Sequence, residues 1–163
     1  MERVYVETSV IGHVAGRLHR DSLLAARQQF ARRWWPLFCS KYRVFISELV
    51  VDECSAGDSS AAQERLNVIK TLETLDIDDV RGLAAALLAA HAIPPSEPRD
   101  AFHVALAAVN GLEYLVTWNF AHIANAAMRA QIEGVCRDAG FEPPVICTPE
   151  ELAGEDANEI SDG

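Results

Sequence analysis

Four side chains that carry oxygen donors stand where the chain passes from a predicted strand into a predicted helix. Glu7 and Asn119 each come soon after a short apolar run. Glu53 lies about two turns into the helix that follows another such run, and Asp100 begins a helix of its own. The ligand crevice of an open parallel sheet lies beyond the carboxyl ends of its strands. The sequence therefore predicts that three carboxylates and one amide can converge at one edge of a sheet.

Oxygen donors of this kind suit Mg²⁺ or Mn²⁺, which keep several waters and need only a few carboxylates when a phosphate fills the remaining positions. A metal held in this way polarises a phosphate and lowers the pKa of a bound water, which is the chemistry of phosphodiester hydrolysis. A single acid at a helix N-terminus can also be no more than a partner of the helix dipole. Spacing alone leaves that simpler interpretation open for each carboxylate.

Short apolar runs alternate with segments of helical periodicity along the whole chain. The predicted strands are residues 4–6, 44–46, 114–116 and 145–147, with a further extended piece at 75–77 and a polar turn at 7–9. The predicted helices run from Asp21 and Ser22 to an end or bend at Pro36, from Ser47 through Glu53, onward from Asp58, from Val80 to near His91, from Asp100 to Gly111, and from Asn125 to Ala139. This alternation predicts a three-layer α/β/α domain with a small, mostly parallel sheet.

A length of 163 residues, half of them apolar, suits one compact domain, which we place at residues 1–153. Residues 154–163 are rich in acids and are predicted to be a disordered tail. No signal-like segment and no unbroken run of about 18 apolar residues is present, so a cytoplasmic protein without a membrane span is expected. The four cysteines form no Cys-x-x-Cys pair, which favours buried thiols over a zinc site or disulfides.

The net charge of −10 argues against a nucleic-acid partner until its distribution is considered. Residues 150–163 hold six acids and no base, whereas residues 1–43 hold eight bases against three acids. The basic side chains near the first long helix could hold RNA phosphates, and two tryptophans there could stack on bases or contact a partner. These residues are Arg17, Arg20, Arg27, Arg32, Arg33, Trp34 and Trp35. A solvated helix face explains most of the arginines equally well.

Five segments resemble the motifs of PIN-domain nucleases, in the order in which that family has them. They are residues 5–11 (YVETSVI), 47–53 (SELVVDE), 100–105 (DAFHVA), 115–120 (LVTWNF, continued by His122, Ile123 and Asn125) and 148–152 (TPEEL). The family's first strand normally ends in Asp-Thr-Ser, where this chain has Glu7, Thr8 and Ser9. The resemblance spans residues 5 to 125 and the closing segment, and the combination is more specific than any one motif.

The resemblance implies a PIN-like domain and assigns roles to particular residues. The catalytic set would be Glu7, Glu53, Asp100 and Asn119, with Glu7, Glu53 and Asp100 holding Mg²⁺ or Mn²⁺ and with Thr8, Ser9 and His103 orienting the substrate. Glu48 and Asp52 compete with Glu53 for the second carboxylate position, and Glu53 is the favoured residue.

The implied activity is that of a metal-dependent endoribonuclease, the VapC-type toxin of a type II toxin–antitoxin pair. RNA would be the substrate, a small antitoxin the partner, and a homodimer the assembly. Because Glu7 replaces the usual Asp and its extra methylene moves the carboxylate, the alternative is a PIN-fold module that binds RNA or protein with weakened or lost catalysis. A small phosphatase or nucleotide hydrolase is a third possibility, although the chain has no Gly-rich phosphate loop.

Overall fold

The computed structural model describes residues 1–76 and 78–162. Within these ranges, five parallel strands form one sheet in the order β3-β2-β1-β4-β5. They are β1 (Arg3–Val6), β2 (Arg43–Ser47), β3 (Glu73–Leu75), β4 (Tyr114–Val116) and β5 (Val145–Cys147). Strands β1, β2, β4 and β5 confirm the predicted ones. Strand β3 begins two residues before the predicted extended piece, whose last residue, Ile77, lies outside the described residues.

The helices of the described residues pack in two groups with the sheet between them. They are α1 (Thr8–Ala15), α2 (Ser22–Lys41), α3 (Glu48–Cys54), α4 (Ser59–Ile69), α5 (Arg81–Ala89), α6 (Pro98–Val109), α7 (Ala126–Asp138), α8 (Pro149–Ala153) and α9 (Asp156–Asp162). Helix α1 packs with α2, α3 and α4, and α5 packs with α6 and α7. The three-layer α/β/α domain predicted from the alternation is confirmed, and the sheet is entirely parallel.

The middle of the sheet is built for burial on both faces. Val4, Tyr5 and Val6 of β1 are fully buried, as are Leu115 and Val116 of β4. Such uninterrupted apolar runs are typical of parallel strands that helices cover on either side. The core therefore fixes β1 and β4 side by side.

The strand order reverses between β1 and β4. The chain passes from β1 to β2 and β3 on one side of the sheet and later adds β4 and β5 on the other side. At such a reversal the connections leave the carboxyl ends of the two strands in opposite directions, which opens a crevice there. The residues that follow β1 and β4, beginning with Glu7 and Thr117, line this crevice.

One local prediction is wrong, and one of the two outcomes left open at Pro36 is excluded. Residues 7–9 are not a free turn, because Glu7 is the N-cap of α1 and its side chain accepts from the backbone N–H of Ser9. Helix α2 does not end at Pro36 but continues to Lys41. Proline removes one helical hydrogen bond, and here the buried rings of Trp34 and Phe38 stack across it with their centroids 4.3 Å apart. Tertiary packing thus offsets the local penalty.

The acidic C-terminal segment also differs from the predicted disordered tail, since residues 156–162 form α9. Its Ile160 is buried against the core, and Nη1 of Arg33 on α2 donates to the carbonyls of Ile160 and Ser161 at 3.3 and 3.0 Å. A cation at a helix C-terminus complements the helix dipole. The prediction of disorder relied on the many acids of this segment and did not take account of the buried Ile160 or its contact with Arg33. Gly163, the last residue of the predicted tail, lies outside the described residues.

The cysteine prediction is confirmed for the described residues. All four cysteines are free; Cys54, Cys136 and Cys147 are buried and Cys39 is half-buried. Burial raises the pKa of the Cys147 thiol to about 12, so this side chain behaves as an apolar group. Among the helices that the structure describes, none combines the length and apolar character needed to cross a bilayer.

Candidate metal-binding and catalytic site

The carboxylate of Glu7 joins the ends of the two central strands. One oxygen, Oε2, accepts from Ser9 N at 3.0 Å, while Oε1 accepts from Ser9 Oγ at 2.5 Å and from Thr117 Oγ1 at 2.7 Å. The side chain is only 5% exposed. Three donors compensate the burial of its charge. Glu7 is therefore tied both to the first turn of α1 and to the end of β4.

Thr117 continues this connection towards the loop after β4. Its buried hydroxyl donates to Glu7 and accepts from the backbone N–H of Asn119 at 2.9 Å. The amide oxygen of Asn119 accepts from the backbone N–H of His122 at 3.1 Å, and its carbonyl accepts from Ile123 and Ala124. The structure thus gives Asn119 a clear local task, because its side chain orders the turn that presents His122.

The third group lies at the start of α6. Glu97, Asp100 and His122 offer ligand atoms that all lie within 4.8 Å of one another. Nδ1 of His122 lies 2.9 Å from Oδ2 of Asp100. Among the described residues, this is the only set of three or more His, Cys, Asp or Glu side chains gathered so closely. Asp100 is a predicted site residue, whereas Glu97 and His122 were not assigned a role from sequence.

Two spacing signals could have pointed to the missed residues. Glu97 precedes Asp100 by three positions, a separation that brings side chains together at the start of a helix. His122 follows Asn119 by three positions, and Asn is a residue that commonly closes a turn through its side chain. Neither signal alone says that the two segments meet, because the contact between α6 and the β4 loop depends on the tertiary fold.

The donor set of this cluster fits a divalent cation. Within the described residues, no hydrogen bond reaches Oδ1 of Asp100 or the Glu97 carboxylate. Two neighbouring carboxylates with so few hydrogen-bond donors repel each other, and a cation removes that repulsion. Nδ1 is the His122 atom that faces Asp100, so with the ring proton on Nε2 the Nδ1 lone pair is available as a third ligand. Two oxygens and one nitrogen suit Mn²⁺ well and Mg²⁺ acceptably.

Glu53, by contrast, is surrounded by donors. Its Oε1 accepts from Thr8 Oγ1 at 2.8 Å and from His103 Nε2 at 2.6 Å, and Nη1 of Arg99 lies 3.9 Å from Oε2. Burial tends to raise the pKa of Glu53, but the hydrogen bond and charge of His103, the hydrogen bond from Thr8 and the charge of Arg99 outweigh it and lower the pKa. Glu53 is therefore ionised near neutral pH. Its competitors Glu48 and Asp52 are exposed.

A buried chain of hydrogen bonds stands behind Glu53. Tyr5 Oη lies 2.6 Å from His103 Nδ1 and 2.8 Å from Ser47 Oγ. An ionised Glu53 can only accept, so His103 Nε2 donates to it. When Nε2 carries the only ring proton, Nδ1 accepts from Tyr5 and Tyr5 accepts from Ser47. When both ring nitrogens carry protons, Nδ1 donates to Tyr5 instead, and Nε2 donates to Glu53 in either case. His103 is 1% exposed, and it orients the Glu53 carboxylate instead of contacting a substrate.

The predicted site residues thus fall into three adjoining contact groups at one edge of the sheet. Glu7 lies with Ser9, Glu53 lies with Thr8 and His103, and Asp100 lies beside the turn that Asn119 orders. Thr8 and Ser9 are consecutive, so the first two groups share the start of α1. The ligand atoms of Glu7 and Glu53 do not belong to the close cluster around Asp100.

Fold and site together define an α/β/α domain with a candidate divalent-cation centre at its topological switch point. No protein-family model, no curated protein and no solved structure matches this chain.

Proposed function

We propose that the protein is a metal-dependent endoribonuclease that hydrolyses RNA phosphodiester bonds. The observation that carries the proposal is the gathering of Glu97, Asp100 and His122 within 4.8 Å at the crevice between the ends of β1 and β4. A cluster of this composition at this place suits metal-assisted attack on a phosphate. The resemblance to PIN-domain nucleases supports the same reaction class.

In this proposal Asp100, Glu97 and His122 hold Mg²⁺ or Mn²⁺. When bound, the ion supplies charge stabilisation at the phosphate and makes a water acidic enough to attack. Glu53, ionised and fixed by His103 and Thr8, adds negative charge close to the crevice. Glu7 fixes the end of β1 against β4 and keeps the crevice in shape.

We further propose that the protein is the toxin of a toxin–antitoxin pair and acts in the cytoplasm as a homodimer. This extension rests on the resemblance of the five segments. It has one structural support, an open cavity of about 710 Å³ between α2 and the α8–α9 pair. Its lining includes Trp34, Leu37 and Ile160, which would suit a protein partner such as a small antitoxin or a second copy.

The test is cleavage of single-stranded and structured RNA by purified protein with Mn²⁺, Mg²⁺ or EDTA. We expect cleavage with metal and none with EDTA. Asp100→Asn should cleave at least about a hundredfold more slowly, because even residues that only hold a metal ligand in place cost about 10- to 100-fold in metal affinity or activity when they are replaced. Exposed Asp52→Asn, on α3, is the matched control and should cleave normally. Cleavage in EDTA that survives Asp100→Asn would reject the proposal.

A second candidate has its own observation. The Glu7 carboxylate is saturated by Ser9 and Thr117 and almost completely buried, so it acts as a structural cap where the family has a metal ligand. A PIN-fold module that binds RNA or protein without efficient hydrolysis fits that arrangement. RNA binding by a protein that cuts no RNA at any Mn²⁺ concentration would favour this second candidate.

A further inference from the structure

The loop after β4 carries an exposed aromatic ring. Phe120 is 42% exposed, and among the described phenylalanines, tyrosines and tryptophans it is the exposed one, the others being buried or half-buried. Trp34, which the sequence offered for base stacking, is 3% exposed, and Trp35 is partly buried against the core. Phe120 therefore offers the most accessible of these rings to a ligand outside the protein.

A guanidinium group accompanies this ring. The Arg27 Cζ atom lies 4.8 Å from the centroid of Phe120, a cation–π distance. Other arginines, such as Arg43 and Arg129, lie beside carboxylates. Arg27 has no carboxylate within ion-pair distance in the described part of the chain. The site thus combines an open ring with a positive charge that a phosphate can still pair with.

The position of the ring connects it with the candidate metal centre. Phe120 follows Asn119 directly and precedes His122 by two residues, so the Cα atoms of Phe120 and His122 are at most about 7 Å apart. His122 in turn lies 2.9 Å from Asp100. A stacked nucleic-acid strand advances about 3.4 Å per nucleotide. The short Cα separation, together with the reach of the two side chains, therefore places the ring within a few nucleotides of the reacting phosphate.

We propose that Phe120 and Arg27 form a nucleobase subsite for single-stranded RNA, in which the base next to the cleaved phosphate stacks on the ring and a phosphate pairs with the guanidinium. The inference rests on the proposed ribonuclease function. Stacking on an aromatic face is open to every base and needs a base that is not already paired within a helix. The subsite would thus select single strands with little sequence preference.

The experiment uses Asp100→Asn protein, which binds without cutting, and a short single-stranded oligoribonucleotide that contains 2-aminopurine. Stacking on a protein ring quenches the fluorescence of this base. We expect the fluorescence to be quenched when the RNA binds Asp100→Asn protein. Adding Phe120→Leu to this protein should weaken RNA binding roughly tenfold and abolish the quenching. Phe120→Trp in the same background should restore both the affinity and the quenching. Val145→Ala, which shortens an exposed apolar side chain at the start of β5, is the matched control and should change neither reading.

Arg27 is tested through salt. Log affinity falls linearly with log salt concentration, and Arg27→Gln should make this dependence shallower by about 0.7, the value for one phosphate contact on a single strand. The subsite is rejected, and the ribonuclease proposal is not, if wild-type protein cuts RNA while Phe120→Leu changes neither affinity nor quenching. A failure of Phe120→Trp to recover both readings likewise rejects stacking. Absence of any RNA binding and any RNA cleavage rejects both proposals.

Discussion

The crevice has two halves that treat their carboxylates in opposite ways. In the closed half, Glu7 and Glu53 each accept at least two hydrogen bonds from neighbouring side chains and backbone. In the open half, Asp100 contacts a single imidazole, that of His122, and the nearby Glu97 carboxylate accepts no hydrogen bond within the described residues. The closed half satisfies its charges inside the protein, whereas the open half leaves lone pairs for something that the chain does not supply.

The contrast separates two tasks that a list of acidic residues would merge. A carboxylate with several protein donors is already stabilised and gains little from a cation. A carboxylate beside another carboxylate gains a great deal from one. The open half should therefore determine metal affinity, and the closed half should determine the stability and shape of the crevice.

The largest effect is expected from metal binding by the open half. Mn²⁺ at about one hundred times its dissociation constant should stabilise the wild-type protein by about 2.7 kcal/mol, because it binds the folded state only. For a domain of this size, that corresponds to a rise of roughly 5–10 °C in Tm. Asp100→Asn should abolish the rise in differential scanning fluorimetry, and Thr8→Val, in the closed half, should keep it. The same rise in both variants would remove the distinction between the halves.

The next effect concerns the stability that the closed half provides. Thr117→Val removes the buried hydroxyl that donates to Glu7 and accepts from Asn119, and should lower the free energy of unfolding by about 2 kcal/mol in urea titrations. Thr117→Ser keeps the hydroxyl and should lose far less. If Val and Ser behave alike, the methyl group and not the hydrogen bonds matters at this position.

The smallest effect is expected at a carboxylate outside both halves, Glu151 in the capping box of α8. Burial tends to raise its pKa, but hydrogen bonds from Thr148 and Arg129 lower it below the ordinary value of 4.5. The ionised form is therefore the stabilising one. At neutral pH the Tm of the wild-type protein should be slightly higher than that of Glu151→Gln. This difference in Tm should disappear as the pH falls from 4.5 through the lowered pKa. A gap that widens in acid would contradict this sign.

The fold was largely predictable because its signals are local. Apolar runs gave β1, β2, β4 and β5, and capping residues such as Asp58 and Asn125 were placed correctly at the starts of α4 and α7. The continuation of α2 past Pro36 and the formation of α9 in place of the predicted disordered tail have one cause. Stacking of Trp34 on Phe38 and burial of Ile160 are tertiary contacts, which outweigh the local preferences that a sequence displays.

The sequence was enough to predict at which edge of the sheet the candidate site lies, but not which side chains contact each carboxylate there. Strand ends and helix starts located Glu7, Glu53 and Asp100, since parallel strands bring their carboxyl ends together. The difference between a saturated Glu7 and an unsaturated Asp100 depends on where Thr117 and His122 point. Those two residues lie 110 and 22 positions away from the carboxylates that they contact. No spacing rule reaches across such separations.

The hydroxyl of Tyr5 has a consequence for the evolution and engineering of this chain. Its ring belongs to the central strand and its oxygen to the row that ends at Glu53. A repacked interior that slid this strand by even part of a residue would pull the imidazole of His103 away from the carboxylate. Thermostabilising substitutions around Tyr5 are thus not neutral for the placement of Glu53, since the firmness of the interior and the orientation of this carboxylate depend on the same few atoms.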